Sequence, residues 1–133
     1  MSAKSILLFA LAFGFASSGV LAAKRGSAGL IEMPFGALNA AGSEISCSVA
    51  LAHWYSAELG RAAPGAKISA SFWRDPATGA LYLLNGIGDR MAVQMTWCGF
   101  AGRSWETRSV LNVSAGKTAD LTCVSGTDRL ACR

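Results

Sequence analysis

His53 is the only histidine in the chain, and it stands in Ala52-His53-Trp54-Tyr55. A nucleophile–histidine–acid relay needs an imidazole to take the hydroxyl proton, so any hydrolytic chemistry of that kind would run through this residue. Ser56 or Ser104 could offer the hydroxyl, and Glu58 or Asp89 the carboxylate. None of the serines has the G-x-S-x-G spacing that lifts a nucleophile onto a sharp strand-to-helix turn. A small hydrolase using His53 is therefore an alternative reading, and no catalytic constellation is complete.

The second candidate chemistry is soft-metal binding. Met91 and Met95, with Met33 and His53, offer thioether and imidazole ligands of the kind that suit copper. On a strand the same i, i+4 spacing is that of a core face, which methionine commonly fills. A copper carrier is kept as the second alternative, with no resident metal or other cofactor expected. Gly86-Ile87-Gly88-Asp89 resembles the start of a phosphate loop, but Met91 stands where the dinucleotide motif needs its third glycine. Eight acidic residues allow many carboxylate pairs, so none is singled out for glycoside hydrolysis.

The cysteines carry the strongest signal. Cys47, Cys98, Cys123 and Cys132 are an even number in a small chain, without the close C-x-x-C pairs of a zinc or thioredoxin-like site. Centring a hairpin on Thr127-Asp128 places Cys123 directly opposite Cys132. Facing residues of an antiparallel pair lie close enough for a disulfide. A four-residue loop over 126–129 keeps the same facing pair. The expected bonds are Cys123–Cys132 and, by elimination, Cys47–Cys98.

Disulfides imply an oxidising compartment, and the N-terminus agrees. Lys4 precedes the apolar run Ile6–Ala16, and small residues follow up to Val20-Leu21-Ala22. This is the pattern of a secretory signal peptide, with cleavage expected after Ala22. The apolar core is short for a membrane span of about 20 residues. Removal of Lys4 with the signal leaves 11 basic and 8 acidic residues, a net charge of +3. The basic residues are scattered, with no stripe of the kind that binds nucleic acid. The destination is extracytoplasmic, either periplasmic or secreted.

The elements that must position these residues read as β. Segment 23–42 is rich in Gly and Ala with Pro34, and is expected to be a flexible arm with at most a short edge strand near Leu30–Met33. Segment 43–60 alternates as a strand over 44–55. A helix over 46–59 is the alternative, with Ser43 as cap and Gly60 as stop. Residues 67–84 form a hairpin around Asp75-Pro76-Ala77-Thr78-Gly79, where each turn position has its preferred residue. Further strands are expected over 90–98, 105–113 and 119–124, with the last hairpin closing at 129–133. The fold class is all-β, a disulfide-stapled antiparallel sandwich or barrel of six to seven strands. The domain organisation is 1–22 signal, 23–42 arm and 43–133 single β-rich domain.

Four tryptophans, Trp54, Trp73, Trp97 and Trp105, are many for so small a domain. Alternation puts Trp73 on the face opposite Phe72 and Trp54 opposite Tyr55. Exposed tryptophan near arginine is typical of binding hot spots. Trp54, Trp73, Arg74, Arg103 and Trp105 are accordingly the candidate binding residues. The functional expectation is an exported, non-enzymatic binding or interaction domain, of the envelope-accessory or inhibitor type. Its partner would be a protein or glycan outside the cytoplasm.

Overall fold

The computed structural model describes residues 14, 24–113 and 120–133. The expected signal segment and the expected turn over 114–118 lie outside the described residues. No helix among the described residues is long and apolar enough to cross a membrane.

The described residues form nine strands: β1 (Ile31–Asn39), β2 (Ile45–Leu51), β3 (Tyr55–Ala62), β4 (Lys67–Arg74), β5 (Leu81–Leu84), β6 (Arg90–Phe100), β7 (Ser109–Leu111), β8 (Asp120–Ser125) and β9 (Leu130–Cys132). They lie in the order β3-β2-β6-β5-β4-β1-β8-β9, with β7 also paired to β6. The all-β reading holds. The strand count is higher than the six or seven expected, and the sheet is mixed rather than antiparallel, because β1 and β8 run parallel. The alternative helix over 46–59 is absent: β2 and β3 form a hairpin there.

The largest departure from the sequence reading is β1. Residues 31–39 are not an arm but a strand inside the sheet, paired with β4 along its length and with β8 over Gly36–Asn39. Met33, Phe35, Ala37 and Asn39 point inward and are buried. Pro34 is tolerated because, among the described residues, β8 pairs with β1 only from Gly36 onward, so no second neighbour there needs its missing N–H. Gly36 lets Lys67 and Asp120 meet across the strand in an ion pair of 2.8 Å, where a Cβ would collide with the lysine stem.

β6 turns the sheet back on itself. Its first residues pair with β5, and its remainder pairs with β2 and β7. The register slips between Ala50 and Leu51, so Gln94 is an extra residue on β6. Such a bulge bends the strand and increases local twist. The two halves of the sheet then enclose one apolar cluster, including Phe35, Phe72, Ile45, Val49, Ile68 and Leu130. Phe35 and Phe72 meet edge to face at 5.7 Å. At the other margin Leu130 N donates to Thr107 O, and Cys132 N to Ser109 Oγ, which ties β9 to the segment entering β7.

Both expected disulfides are present, Cys47–Cys98 and Cys123–Cys132, each between directly facing residues. The expected hairpin over 67–84 is also present. Its turn is held by Asp75 Oδ1, which accepts from Ala77 N, and by Gly79 in the left-handed region. The expected strand over 105–113 shrinks to Ser109–Leu111, because residues 101–107 form a compact loop in which Thr107 Oγ1 donates to Arg103 O and accepts from Phe100 N.

Candidate functional site

The strand expected over 44–55 stops at Leu51. Leu51 faces Tyr55 across the three-residue loop Ala52-His53-Trp54. His53 and Trp54 both have positive φ, 68° and 69°, and they are the only described non-glycine residues that do. Left-handed backbone costs roughly 1–2 kcal/mol for an ordinary residue, and strain of this kind concentrates at functional positions. The loop is anchored by Ala52 N, which donates to Ala92 O at 2.9 Å. Beyond that anchor the side chains project outward. Trp54 has a relative exposure of 103% and Tyr55 of 69%.

A second turn, Asn85–Asp89, stands next to this loop. Asn85 Oδ1 accepts from both Ile87 N and Asp89 N, which rounds the turn and pushes Ile87 out to 70% exposure. Gly88, with φ 83°, accepts at its carbonyl from Gly26 N at 2.7 Å. Arg25 pairs with Asp89 at 3.2 Å. Arg90 donates to Gly26 O and Ala28 O. The 24–30 segment is thereby fastened beside both turns. Between them lies a recess of about 500 Å³ lined by His53, Tyr55, Asn85, Asp89 and Arg90 over Leu51 and Met91.

The five residues proposed from sequence do not form one site. Trp54 belongs to the end just described. Arg103 and Trp105 lie in the 101–107 loop at the opposite end of β2, since Ile45 faces Phe100 there and Leu51 faces Val93 here. Six residues of strand separate the two by roughly 20 Å. At that far end Arg108 lies 4.1 Å above the Trp105 ring, and Trp105 meets buried Trp97 edge to face at 5.2 Å. Trp73 and Arg74 are half-buried on β4, with Trp73 between Glu32 and Tyr82 on the outer face. Tyr55 and Ile87 were not proposed. An apolar residue in the polar turn Asn-Gly-Ile-Gly-Asp was the available signal for Ile87; nothing in Ala-His-Trp announced a turn.

The alternative chemistries fare differently in geometry. His53 is exposed on the loop, and among the described residues no hydrogen bond links it to a hydroxyl or carboxylate. The β6 bulge separates the two methionines: Met91 packs against the core, whereas Met95 faces Ala50 on the other side of the sheet. Met33 is buried on the inner face of β1. The soft ligands are thus not gathered. The one group of three His, Cys, Asp or Glu side chains gathered at ligand spacing among the described residues is Cys98, Cys123 and Cys132, whose sulfurs lie within 4.8 Å of one another and are all disulfide-bonded.

The strain at the loop makes a prediction. His53→Gly is expected to stabilise the protein by about 0.5–1 kcal/mol, because glycine relieves the left-handed backbone at some cost in unfolded-state entropy. Urea midpoints of the variant and wild type test this, and an unchanged or lower midpoint would show that the loop is not strained. Comparison with protein-family models, with curated proteins and with solved structures found no match.

Proposed function

We propose that this chain is an exported, non-enzymatic binding domain that engages its partner through the end carrying Trp54, Tyr55 and Ile87. The observation that carries the reading is Trp54, a ring wholly in solvent on backbone that only glycine adopts without cost. A large apolar ring held out at the expense of backbone strain is a contact residue awaiting a partner. The two disulfides and the signal-like N-terminus support an extracytoplasmic setting, where such bonds persist.

The test uses the exported protein in its own host, with a photo-reactive phenylalanine analogue at Tyr55 or, as control, at Thr78 in the β4–β5 turn. Irradiation is expected to give an adduct from position 55 and none from position 78. No adduct at 55, or equal adducts at both, would remove the binding role of this end.

A further inference from the structure

We infer that the partner of this end is a lipid surface: Trp54, Tyr55 and Ile87 enter the interface of an anionic bilayer while Lys24 and Arg25 meet its headgroups. The inference rests on the binding reading above and names its ligand.

Three independent features converge. The first is side-chain chemistry. Trp54 and Tyr55 each carry an apolar ring and one polar atom, the combination enriched at the level of lipid headgroups. Ile87, exposed on the neighbouring turn, adds a purely aliphatic contact. These rings project from turns instead of lining a concavity, which suits a soft, deformable surface better than a preformed protein pocket. The anchor from Ala52 N to Ala92 O holds the base of the loop at the sheet. Insertion is limited to side chains, since loop backbone cannot leave water for hydrocarbon without losing hydrogen bonds.

The second feature is charge. Lys24 and Arg25 are exposed beside the turns, and Arg90 stands behind them with its guanidinium on Gly26 O and Ala28 O. Asp89, paired with Arg25, is the acid among them. Basic residues near a membrane surface are drawn to anionic lipid by a field that fades within a Debye length. Cations also stand beside an exposed ring at the far end, but there Arg108 covers Trp105 at 4.1 Å, whereas Trp54 here is wholly in solvent.

The third feature is where the chain enters the fold. Lys24 lies two residues beyond Ala22, the expected end of the export signal. Residues 25 and 26 are then pinned to Asp89 and Gly88, two residues and one residue from Ile87. The chain thus enters the folded domain at the aromatic end. A domain that emerges with this end toward the bilayer needs no reorientation to remain in contact with it.

The experiment uses the exported protein as its host produces it. It is mixed with vesicles of phosphatidylglycerol and phosphatidylethanolamine, or with vesicles of phosphatidylcholine, and binding is read by sedimentation and by tryptophan quenching with brominated acyl chains. The expected result is binding to the anionic vesicles that weakens with salt, with quenching that Trp54→Phe largely abolishes. The pair Trp54→Ser and Ile87→Ser is expected to weaken partitioning about tenfold, and Lys24→Ser with Arg25→Ser to remove most of the salt dependence. Val110→Ser, on the exposed apolar position of β7, is expected to change nothing.

Vesicle binding that is the same in the Trp54/Ile87 variant would overturn the inference, because another part of the chain would then be the contact. Absence of vesicle binding with a position-55 adduct that is protein or glycan would overturn the lipid assignment and leave the binding end intact. Absence of both vesicle binding and adduct would remove the two readings together.

Discussion

Cys47→Ala with Cys98→Ala is expected to lower the unfolding free energy by about 4 kcal/mol, the larger of the two disulfide losses. The bond closes a loop of 51 residues. On the chain-entropy account that closure removes about 4 kcal/mol of unfolded-state freedom, against about 2.7 for the 9-residue separation of Cys123 and Cys132. Packing adds to the effect. Cys47 and Cys98 are fully buried where β2 faces β6, so two methyl groups would leave a void in the middle of the sheet. For a small domain with a total stability of about 5–15 kcal/mol this is a large fraction. The Cys98 sulfur also lies within 4.8 Å of the other pair, so the losses should not add: the quadruple alanine variant is expected to differ from the sum of the two doubles. Urea unfolding of the three variants checks both statements. A terminal pair that costs more than the long-range pair would show that local packing around β8 and β9, not chain entropy, sets the value of each bond.

The parts of the fold that could be read in the sequence are those where local chemistry and tertiary structure agree. Asp75-Pro76-Ala77-Thr78-Gly79 has a turn residue at every position that needs one, and β4 and β5 follow on either side. The facing pair Cys123 and Cys132 follows from counting outward from one turn. Legibility failed where a non-local neighbour decides. β1 contains Gly36 and Pro34, both poor strand formers, and its burial comes from β4 and β8, which are distant in sequence. Likewise, alternation runs without a break through Ala52 and His53, so the hairpin turn between β2 and β3 could not be seen. It is imposed by the pairing of both strands and by the anchor on Ala92.

The site follows the same rule. Composition indicated that exposed tryptophans were the residues to watch, and Trp54 is the most exposed of them. Their grouping could not be read, because sequence proximity of arginine and tryptophan says nothing about which end of a strand a loop occupies. Arg103 and Trp105 fall at the Phe100 end of β6, and Trp54 at the Val93 end of the same pairing. Met91 and Met95 show how one inserted residue undoes a period: the Gln94 bulge sends them to opposite faces.

Asn39 was passed over within a segment expected to be an arm, and its replacement carries the second large effect. Asn39→Ala is expected to cost about 3–5 kcal/mol. The side chain is fully buried, with Nδ2 donating to Ser43 O at 2.8 Å and to Ala62 O at 2.9 Å, and Oδ1 accepting from Ala41 N at 2.8 Å. Its backbone N–H donates to Ala66 O and its carbonyl accepts from Gly65 N. One residue thus joins the end of β1 to the turn before β2 and to the turn after β3. Alanine keeps the two backbone bonds but strands two buried backbone groups, Ala62 O and Ala41 N, and a part-buried one, Ser43 O; a buried group left unpaired costs about 1–3 kcal/mol, partly relieved by relaxation. Asn39→Asp separates this account from simple loss of volume. Aspartate keeps the acceptor for Ala41 N but sets a carboxylate against the carbonyls of Ser43 and Ala62, which favours its protonated form. Its pKa is therefore raised on folding above the usual value of about 3.9. The sign follows directly: below the unfolded pKa the carboxyl is neutral in both states and the penalty is smallest, and stability falls as pH rises from there through the folded pKa. Urea midpoints should therefore drop with rising pH for Asn39→Asp relative to wild type, while the offset of Asn39→Ala stays constant. Parallel pH profiles for the two variants would mean that the amide donors do not hold the two turns, and that Asn39 acts only by filling space.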